Sequence, residues 1–147
     1  MKVKETELRI TTKSELQVLD ITEDVQRVVS KTGIRNGIVN VFVPASTGAV
    51  TTMEYEPGLL RDLPNALERL APRNANYEHE KIHYDETCYR TGSRNGHSHT
   101  RASIIGPSMT VPLSNGSLRL GTWQQLVFVE LDIRPRTRSL IITCIGE

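Results

Sequence analysis

The sequence predicts an α+β layered fold, built from mixed or antiparallel β-sheet with two or three helices, in one domain spanning residues 1–147. Seven or eight short strand-like runs outnumber the helical ones, and they follow one another without strict β-α-β alternation. With 37% hydrophobic residues, the chain can bury a core of ordinary size. No internal repeat or low-complexity tract indicates a second unit.

The N-terminal region predicts a hairpin followed by a helix. Val3–Thr12 and Glu15–Leu19 carry sparse, strand-like apolar residues on either side of a tight connection. Thr22 can N-cap a helix that has acidic residues in its first turn and ends near Gly33. The buried stripe of this helix consists of Val25, Val28 and Val29.

The middle of the chain predicts two central strands and a second helix. The strands are the β-branched run at 37–43 and the run at 49–54. A leucine-rich helix follows from Pro57, in which Pro64 should kink or split the backbone and Asp62 should cap the second half.

The C-terminal region predicts a short helix and then strands. His99 to Ile105 has helical character, and Ser114-Asn-Gly116 is a hairpin-turn signal. The predicted strands span 109–112, 118–120, 122–132 and 139–145.

Charge and cysteine usage exclude several classes of protein. Eighteen basic and seventeen acidic side chains leave a formal charge of +1, so no global field draws the chain to nucleic acid or an anionic membrane. Cys88 and Cys144 lack metal-type spacing and indicate reduced thiols. No run approaches the roughly 20 apolar residues that cross a bilayer, and no secretory signal opens the chain. We expect a cytoplasmic protein.

Histidines cluster in a polar, aperiodic segment. All four lie between positions 79 and 99, beside several acids. His79 and His83 would share a helix face, and His97-Ser-His99 would place two imidazoles on the same side of an extended backbone. Both spacings suit a divalent metal. The alternative is a solvated polar loop, as histidine pairs often are.

Two acids and one loop are further candidates. Glu54 ends an apolar strand, where partial desolvation would favour a general base, or it is simply a surface acid. Glu130 lies among apolar strand residues and needs partners, which could be Arg134, Arg136 or Arg138 in a structural ion pair. The loop before residue 125 offers Trp123 and Gln124 for holding a phosphate or ring, although such a Trp is more often a core anchor.

These motifs together resemble one known family. The stretch Asn95-Gly-His-Ser-His99, Ser103-Ile-Ile-Gly-Pro-Ser108 and Leu118-Arg-Leu-Gly-Thr-Trp-Gln124 is similar to the signature of the YjbQ-like (UPF0047) family. Thr51-Thr-Met-Glu54-Tyr-Glu56-Pro57 and Asn76-Tyr-Glu-His79 follow its order and spacing.

The resemblance implies a homotrimeric α+β sandwich with sites near subunit boundaries. It also implies a secondary thiamine-phosphate-synthase-like activity, which joins a pyrimidine pyrophosphate to a thiazole phosphate. Glu54, His79 and His99 would form the polar core of the site. A divalent metal (Mg or Zn) would be held by His79 and His99, with His97 or Glu54 in the place of a third histidine. Supporting or substrate-binding positions would be Thr47, Asp62, Asp85, Arg101, Trp123, Gln124 and Glu130.

One departure from the family pattern bears on function. Relatives carry a histidine that opens a His-Thr-Thr-Ala-like turn, and this chain has Ala45 there. Loss of one ligand weakens a small metal site and the enzyme hypothesis with it. Three hypotheses therefore stay open: a transferase, a non-catalytic binding module for a phosphorylated or anionic metabolite, and a structural trimer.

Overall fold

The computed structural model describes residues 1–82 and 94–147. Within these ranges the chain forms eight strands and four helices. In chain order they are β1 (Lys2–Thr11), β2 (Val18–Asp20), α1 (Thr22–Thr32), β3 (Gly37–Phe42), β4 (Gly48–Met53), α2 (Leu59–Leu70), α3 (Glu78–Ile82), α4 (Gly96–Ile105), β5 (Ser108–Ser114), β6 (Ser117–Leu118), β7 (Gln125–Glu130) and β8 (Thr137–Gly146).

The strands form two antiparallel sheets. A five-stranded sheet has the order β1-β8-β3-β5-β6, and a three-stranded sheet has the order β2-β7-β4. The α+β prediction is confirmed, but the described ranges contain four helices rather than two or three. The additional helix is α3, which has only five residues and lacks the apolar periodicity by which a helix is recognised in sequence.

The three-stranded sheet lies between two hydrophobic cores. Leu126 and Phe128 of β7 pack toward α1 and the five-stranded sheet, whereas Val127 and Val129 pack toward α2 and α4. All four residues are fully buried. A strand covered on both faces reads as a continuous apolar run rather than an alternating one, which explains this part of the sequence.

Helix α1 begins one residue earlier than its predicted cap implies. Thr22 is the first helical residue and Ile21 occupies the N-cap position, so Thr22 does not cap the helix. The Thr22 amide donates instead to Oδ1 of Asp20 at 3.0 Å. The predicted stop is confirmed, because Gly33 adopts the left-handed conformation with φ 70°.

The predicted N-terminal hairpin is wrong. β1 pairs with β8 along its full ten residues, whereas β2 pairs with β7 in the other sheet. The chain crosses between sheets at the intervening turn, where the Leu16 amide donates to the Glu130 carbonyl oxygen at 2.7 Å. Leu16, in this turn, has a positive φ of 63°. The tight connection predicted between the two strands gave no sign of this conformation.

Two other local predictions have opposite outcomes. Asn115 and Gly116 both have positive φ, and they join β5 to β6 as the hairpin signal indicates. Helix α2 is not split at Pro64, and Asp62 is exposed in its first turn. The carboxylate of Glu56 caps this helix by accepting a hydrogen bond from the amide of Gly58 at 2.7 Å. Hydrogen bonds from backbone amides hold the pKa of Glu56 below its ordinary value.

None of the helices in the two described ranges has both the length and the apolar character needed to cross a bilayer.

Candidate functional site

Two of the predicted histidines meet between α3 and α4. The ring centroids of His79 and His99 are 4.3 Å apart with a 43° tilt between the rings, and both side chains are half-buried. His99 also lines a cavity of about 220 Å³. The other lining residues are Ala45, Ser46, Gly48, Ala102, Ser103 and Pro107. The candidate site is therefore a small cavity with an imidazole pair at its edge.

Ala45 lies in the wall of this same cavity. It belongs to the turn between β3 and β4, and it is the position at which the family resemblance expects a histidine. An imidazole at position 45 would enter the space that His99 lines. The position at which this chain lacks the histidine therefore belongs to this cavity and not to a remote surface.

A buried ion pair holds the turn that carries Ala45. The Arg138 guanidinium makes two bonds to the carboxylate of Glu130, at 2.9 and 2.5 Å, and donates to the carbonyl oxygen and hydroxyl of Thr47. Glu130 is fully buried and accepts further hydrogen bonds from Thr12 and the Asp132 amide. Arg138 is thus the partner among the three arginines considered for Glu130.

Asp132 extends the network on the side of the β7–β8 connection. It accepts from the Thr47 hydroxyl at 3.2 Å and from Nε of Arg136 at 2.9 Å. Burial raises the pKa of Asp132, but the hydrogen bond and charge of Arg136, with other donors, hold the pKa below its ordinary value. Thr47 and Glu130 were expected near a substrate. They instead stabilise the turn that carries Ala45 and forms part of the cavity wall.

His97 faces away from His99, which corrects the expected metal trio of His79, His97 and His99. The segment is helical rather than extended, so residues two apart point roughly 200° from each other around the axis. His97 is fully buried, and its Nε2 lies 2.5 Å from Oε1 of Glu15. Its Nδ1 has no hydrogen-bond partner among the described residues.

Arg101 shares the face of α4 that carries His97 and is not available to a substrate. It is 1% exposed, donates from Nε to the Ala71 carbonyl oxygen at 3.0 Å, and pairs with Glu68 at 2.5 Å. A longer contact of 3.7 Å reaches Glu15. Arg101, expected to bind substrate, is therefore buried beside Glu15 and Glu68 in this structure and directs its donors to groups of the chain.

Glu15 is the acid that the sequence analysis missed. Its carboxylate contacts His97, Arg101 and Arg73, the last at 2.6 Å. Burial raises the pKa of Glu15, but the hydrogen bond and charge of His97, with the charges of Arg73 and Arg101, bring the pKa below its ordinary 4.5. In the sequence, Glu15 is one polar residue of a predicted strand, so no local pattern distinguished it as a candidate.

Glu54 and the Trp123 loop lie toward the opposite end of the three-stranded sheet. Gly48 borders the cavity, and Glu54 follows six residues later, which places it roughly 20 Å along the strand direction at about 3.3 Å per residue. Glu54 is exposed, so the expected desolvation is absent. Trp123 is 71% exposed and thus no core anchor, and Gln124 hydrogen bonds to Thr52 and borders a different hollow beside α1.

The remaining expected site residues do not join the cavity within the described ranges. Asp62 is exposed on α2, and Asp85 and His83 lie outside the described residues. Among residues 1–82 and 94–147, no group of three or more His, Cys, Asp or Glu side chains could hold a metal ion. Ser103 was missed although it lies one helical turn after His99, because the histidine pair was interpreted as extended.

Fold and site together define an α+β protein with two antiparallel sheets and a small cavity beside a histidine pair. The sequence pattern of the family described as UPF0047 protein YjbQ-like matches residues 6–147. The chain belongs to this family.

Relatives and solved structures match nearly the whole chain. A UPF0047 protein of Methanothermobacter thermautotrophicus is 41% identical over 147 residues, covering 100% of this chain and 95% of its own length. The crystal structure of a YbjQ-like protein of unknown function from Sulfolobus solfataricus P2 superposes with a TM-score of 0.89, at 31% identity and 99% coverage of both chains. A hypothetical protein from Aeropyrum pernix K1 gives a TM-score of 0.86, at 34% identity, covering 98% of this chain and 99% of its own.

Proposed function

We propose that the cavity beside His79 and His99 binds a small phosphorylated or anionic metabolite without efficient turnover. The observation that carries this proposal is the position of Ala45, whose methyl group lines the cavity where relatives are expected to carry an imidazole. Two histidines remain to attract an anion, because an imidazole that takes up a proton is a cation with two donors.

The size of the cavity favours a small ligand. Pockets for drug-sized molecules usually enclose about 300–1,000 Å³, whereas this one measures about 220 Å³. A phosphate or short phosphorylated metabolite suits that volume. A pyrimidine pyrophosphate together with a thiazole phosphate would need more room than this cavity provides.

The second candidate is a weak thiamine-phosphate-synthase-like transferase, which the family resemblance supports. In that case the additional space, and an acid to serve as base, would come from a neighbouring subunit at the boundary where the resemblance implies the site. Ala45 would then limit the rate because a third imidazole is lacking. The described residues supply no third metal donor to this cavity, so no step is assigned to a Mg or Zn ion.

Binding and turnover can be separated with three variants. Calorimetric titration with inorganic phosphate and with pyrophosphate should show binding to the wild type and a loss of about tenfold or more in His99→Ala, since a hydrogen bond to a charged group contributes roughly 1.5–3 kcal/mol. Ala45→His should add Zn²⁺ binding, and the control Ala75→His, outside the cavity, should not. Absence of phosphate and pyrophosphate binding in the wild type would refute the proposed function. Formation of thiamine phosphate by the wild type from the two substrates would favour the transferase.

We also propose that the chain assembles as a homotrimer through the outer face of the five-stranded sheet. Val3, Ile38 and Phe42 expose 61%, 41% and 38% of their surface on this face, and Ile141 and Ile145 lie between them in the strand register. No described helix covers these residues. Antiparallel sheets that face water normally present polar residues. Although Glu5, Thr143 and Asn40 form a polar row on the same face, the exposed apolar side chains on either side of that row support contact with another copy.

Light scattering at micromolar concentration tests the assembly. The wild type should have the mass of a trimer, and Phe42→Glu should lower that mass because it buries a charge in the proposed contact. Leu70→Glu is the matched control, since Leu70 is 65% exposed but lies on α2. A monomeric wild type, or disassembly by Leu70→Glu instead of Phe42→Glu, would contradict this arrangement.

A further inference from the structure

A buried cluster of charged side chains grips α4 on the face opposite His99. His97 and Arg101 are one helical turn apart, and both reach the carboxylate of Glu15, at 2.5 Å and 3.7 Å. His97 is fully buried and Arg101 is 1% exposed, so neither contact is screened by solvent as a surface pair would be.

The cluster connects α4 to two other parts of the chain. Glu15 lies in the turn between β1 and β2, beside Leu16 with its positive φ. Arg101 donates to the Ala71 carbonyl oxygen at the end of α2 and to Glu68 within α2. These anchors lie on one side of α4, so they resist rotation of the helix about its own axis.

We propose that Glu15, acting through His97 and Arg101, is a positioning residue that sets the rotation of α4 and thereby holds His99 against His79. A helix turns by about 100° per residue, so an anchor at positions 97 and 101 determines the direction of the side chain at 99. A rotation of only a few tens of degrees would carry the His99 ring several ångströms away from the His79 ring, because an imidazole extends well beyond the helix backbone. The proposal rests on the proposed function only in so far as His99 contacts the bound anion.

The apolar contacts of α4 cannot supply the same restraint. Of its residues, Ala102 is buried and Ile105 partly buried in the core against α2 and the three-stranded sheet. Methyl and butyl groups tolerate rotation far better than a carboxylate that must meet an imidazole and a guanidinium in fixed directions. The charged cluster is therefore the element that makes the orientation of His99 specific.

Nuclear magnetic resonance of histidine-labelled protein tests this directly. In the wild type, His79→Ala should shift the ring protons of His99, because each ring lies within the ring-current field of the other at 4.3 Å. In a Glu15→Ala or His97→Ala background, the same His79→Ala change should leave the His99 signals nearly unmoved. The isosteric variant Glu15→Gln, and His97→Gln, which keeps a polar group at a similar place, should retain the shift. Glu68→Gln is the control that also retains the shift, because Glu68 is half-exposed and contacts Arg101 and the Arg73 amide rather than His97.

The result that overturns the proposal is an unchanged His79-dependent shift in Glu15→Ala at an unchanged melting temperature. If Glu15→Ala does not fold, Glu15→Met takes its place, because methionine fills similar space without accepting a hydrogen bond, and an unchanged shift in Glu15→Met likewise overturns the proposal. Phosphate titration on the same proteins keeps the two proposals separate. Failure of the wild type to bind phosphate, with the ring coupling intact, refutes the proposed function and leaves the positioning role standing.

Discussion

Replacement of Arg138 by methionine should be among the most destabilising single changes in this protein. Arg138 is 9% exposed, and its guanidinium makes two bonds to Glu130 and two to Thr47. Methionine fills much of the same space but donates nothing. The Glu130 carboxylate, which is fully buried, would keep only the Thr12 hydroxyl and the Asp132 amide as partners.

The expected loss of stability follows from the Glu130 charge that stays buried without its partner. Removing one member of a buried ion pair typically costs about 3–5 kcal/mol, because the other charge stays buried without compensation. For a domain of this size that corresponds to a fall in melting temperature of roughly 6–20 °C. Arg136→Met is the comparison: the Arg136 side chain is 47% exposed, so water screens its pair with Asp132 and the loss should be smaller than in Arg138→Met, although Asp132 itself is buried.

Urea unfolding gives the loss of free energy of unfolding, and thermal unfolding gives the fall in melting temperature. Both are measured at a fixed protein concentration, because assembly would affect the midpoint. The double variant Glu130→Gln, Arg138→Met removes the stranded charge and should recover part of the stability lost in Arg138→Met. If Arg138→Met loses no more than Arg136→Met, or if the double variant is less stable than Arg138→Met, the buried charge does not control stability here.

Three further variants test other parts of the structure. The pKa of Glu15 is lower in the folded chain, so its contribution to stability is fully present above pH 4.5 and is lost as the pH falls through the folded value. The difference in melting temperature between wild type and Glu15→Gln should therefore shrink below pH 4.5. A difference independent of pH would refute the role of His97 and its neighbours. Gly48→Ala would place a Cβ 2.9 Å from the Phe128 ring, so unfolding should show a loss of about 1–3 kcal/mol, and unchanged stability would mean that the ring moves freely. Leu126→Ala, at a fully buried position, should lose about 2–5 kcal/mol by urea unfolding, and a loss below 1 kcal/mol would contradict its place in the core.

The position of His99 links these predictions to function. Behind the cavity, Arg138 and Glu130 hold the turn that carries Ala45, while Glu15 holds α4 from the other side. The cavity wall and the imidazole are thus supported by two separate buried ion clusters. Variants of Arg138 should move the turn, and variants of Glu15 should move His99, so their two effects on the proposed phosphate binding can be measured independently.

Much of the secondary structure followed from local patterns. The β-branched run at 37–42 became β3, the valine spacing after Thr22 became α1, and Asn115-Gly116 formed its turn. These signals act over a few residues, through side-chain periodicity and the φ values that glycine and asparagine accept. Helix α3 was not among the predicted elements because four polar residues and one isoleucine carry no such periodicity.

The site was predicted less completely, for a geometric reason. His79 and His99 were singled out and do meet, but the interpretation of His97-Ser-His99 as extended placed two imidazoles on one side when the helix sends them to opposite sides. Glu54 was expected beside them because the family resemblance implies it, yet the strand runs away from the cavity. Composition alone carries no information on which end of a strand faces a given loop.

What the sequence determined by itself is the family, the α+β class, the location of most strands and helices, and the absence of a histidine at Ala45. Tertiary structure alone decided that β1 pairs with β8, that Glu130 belongs to Arg138, and that Glu15 reaches α4 across 82 residues of chain. The physical reason is distance along the chain. Backbone preferences are set by neighbours, but the partner of a buried charge is chosen by whichever desolvated group the packed layers bring within hydrogen-bonding reach.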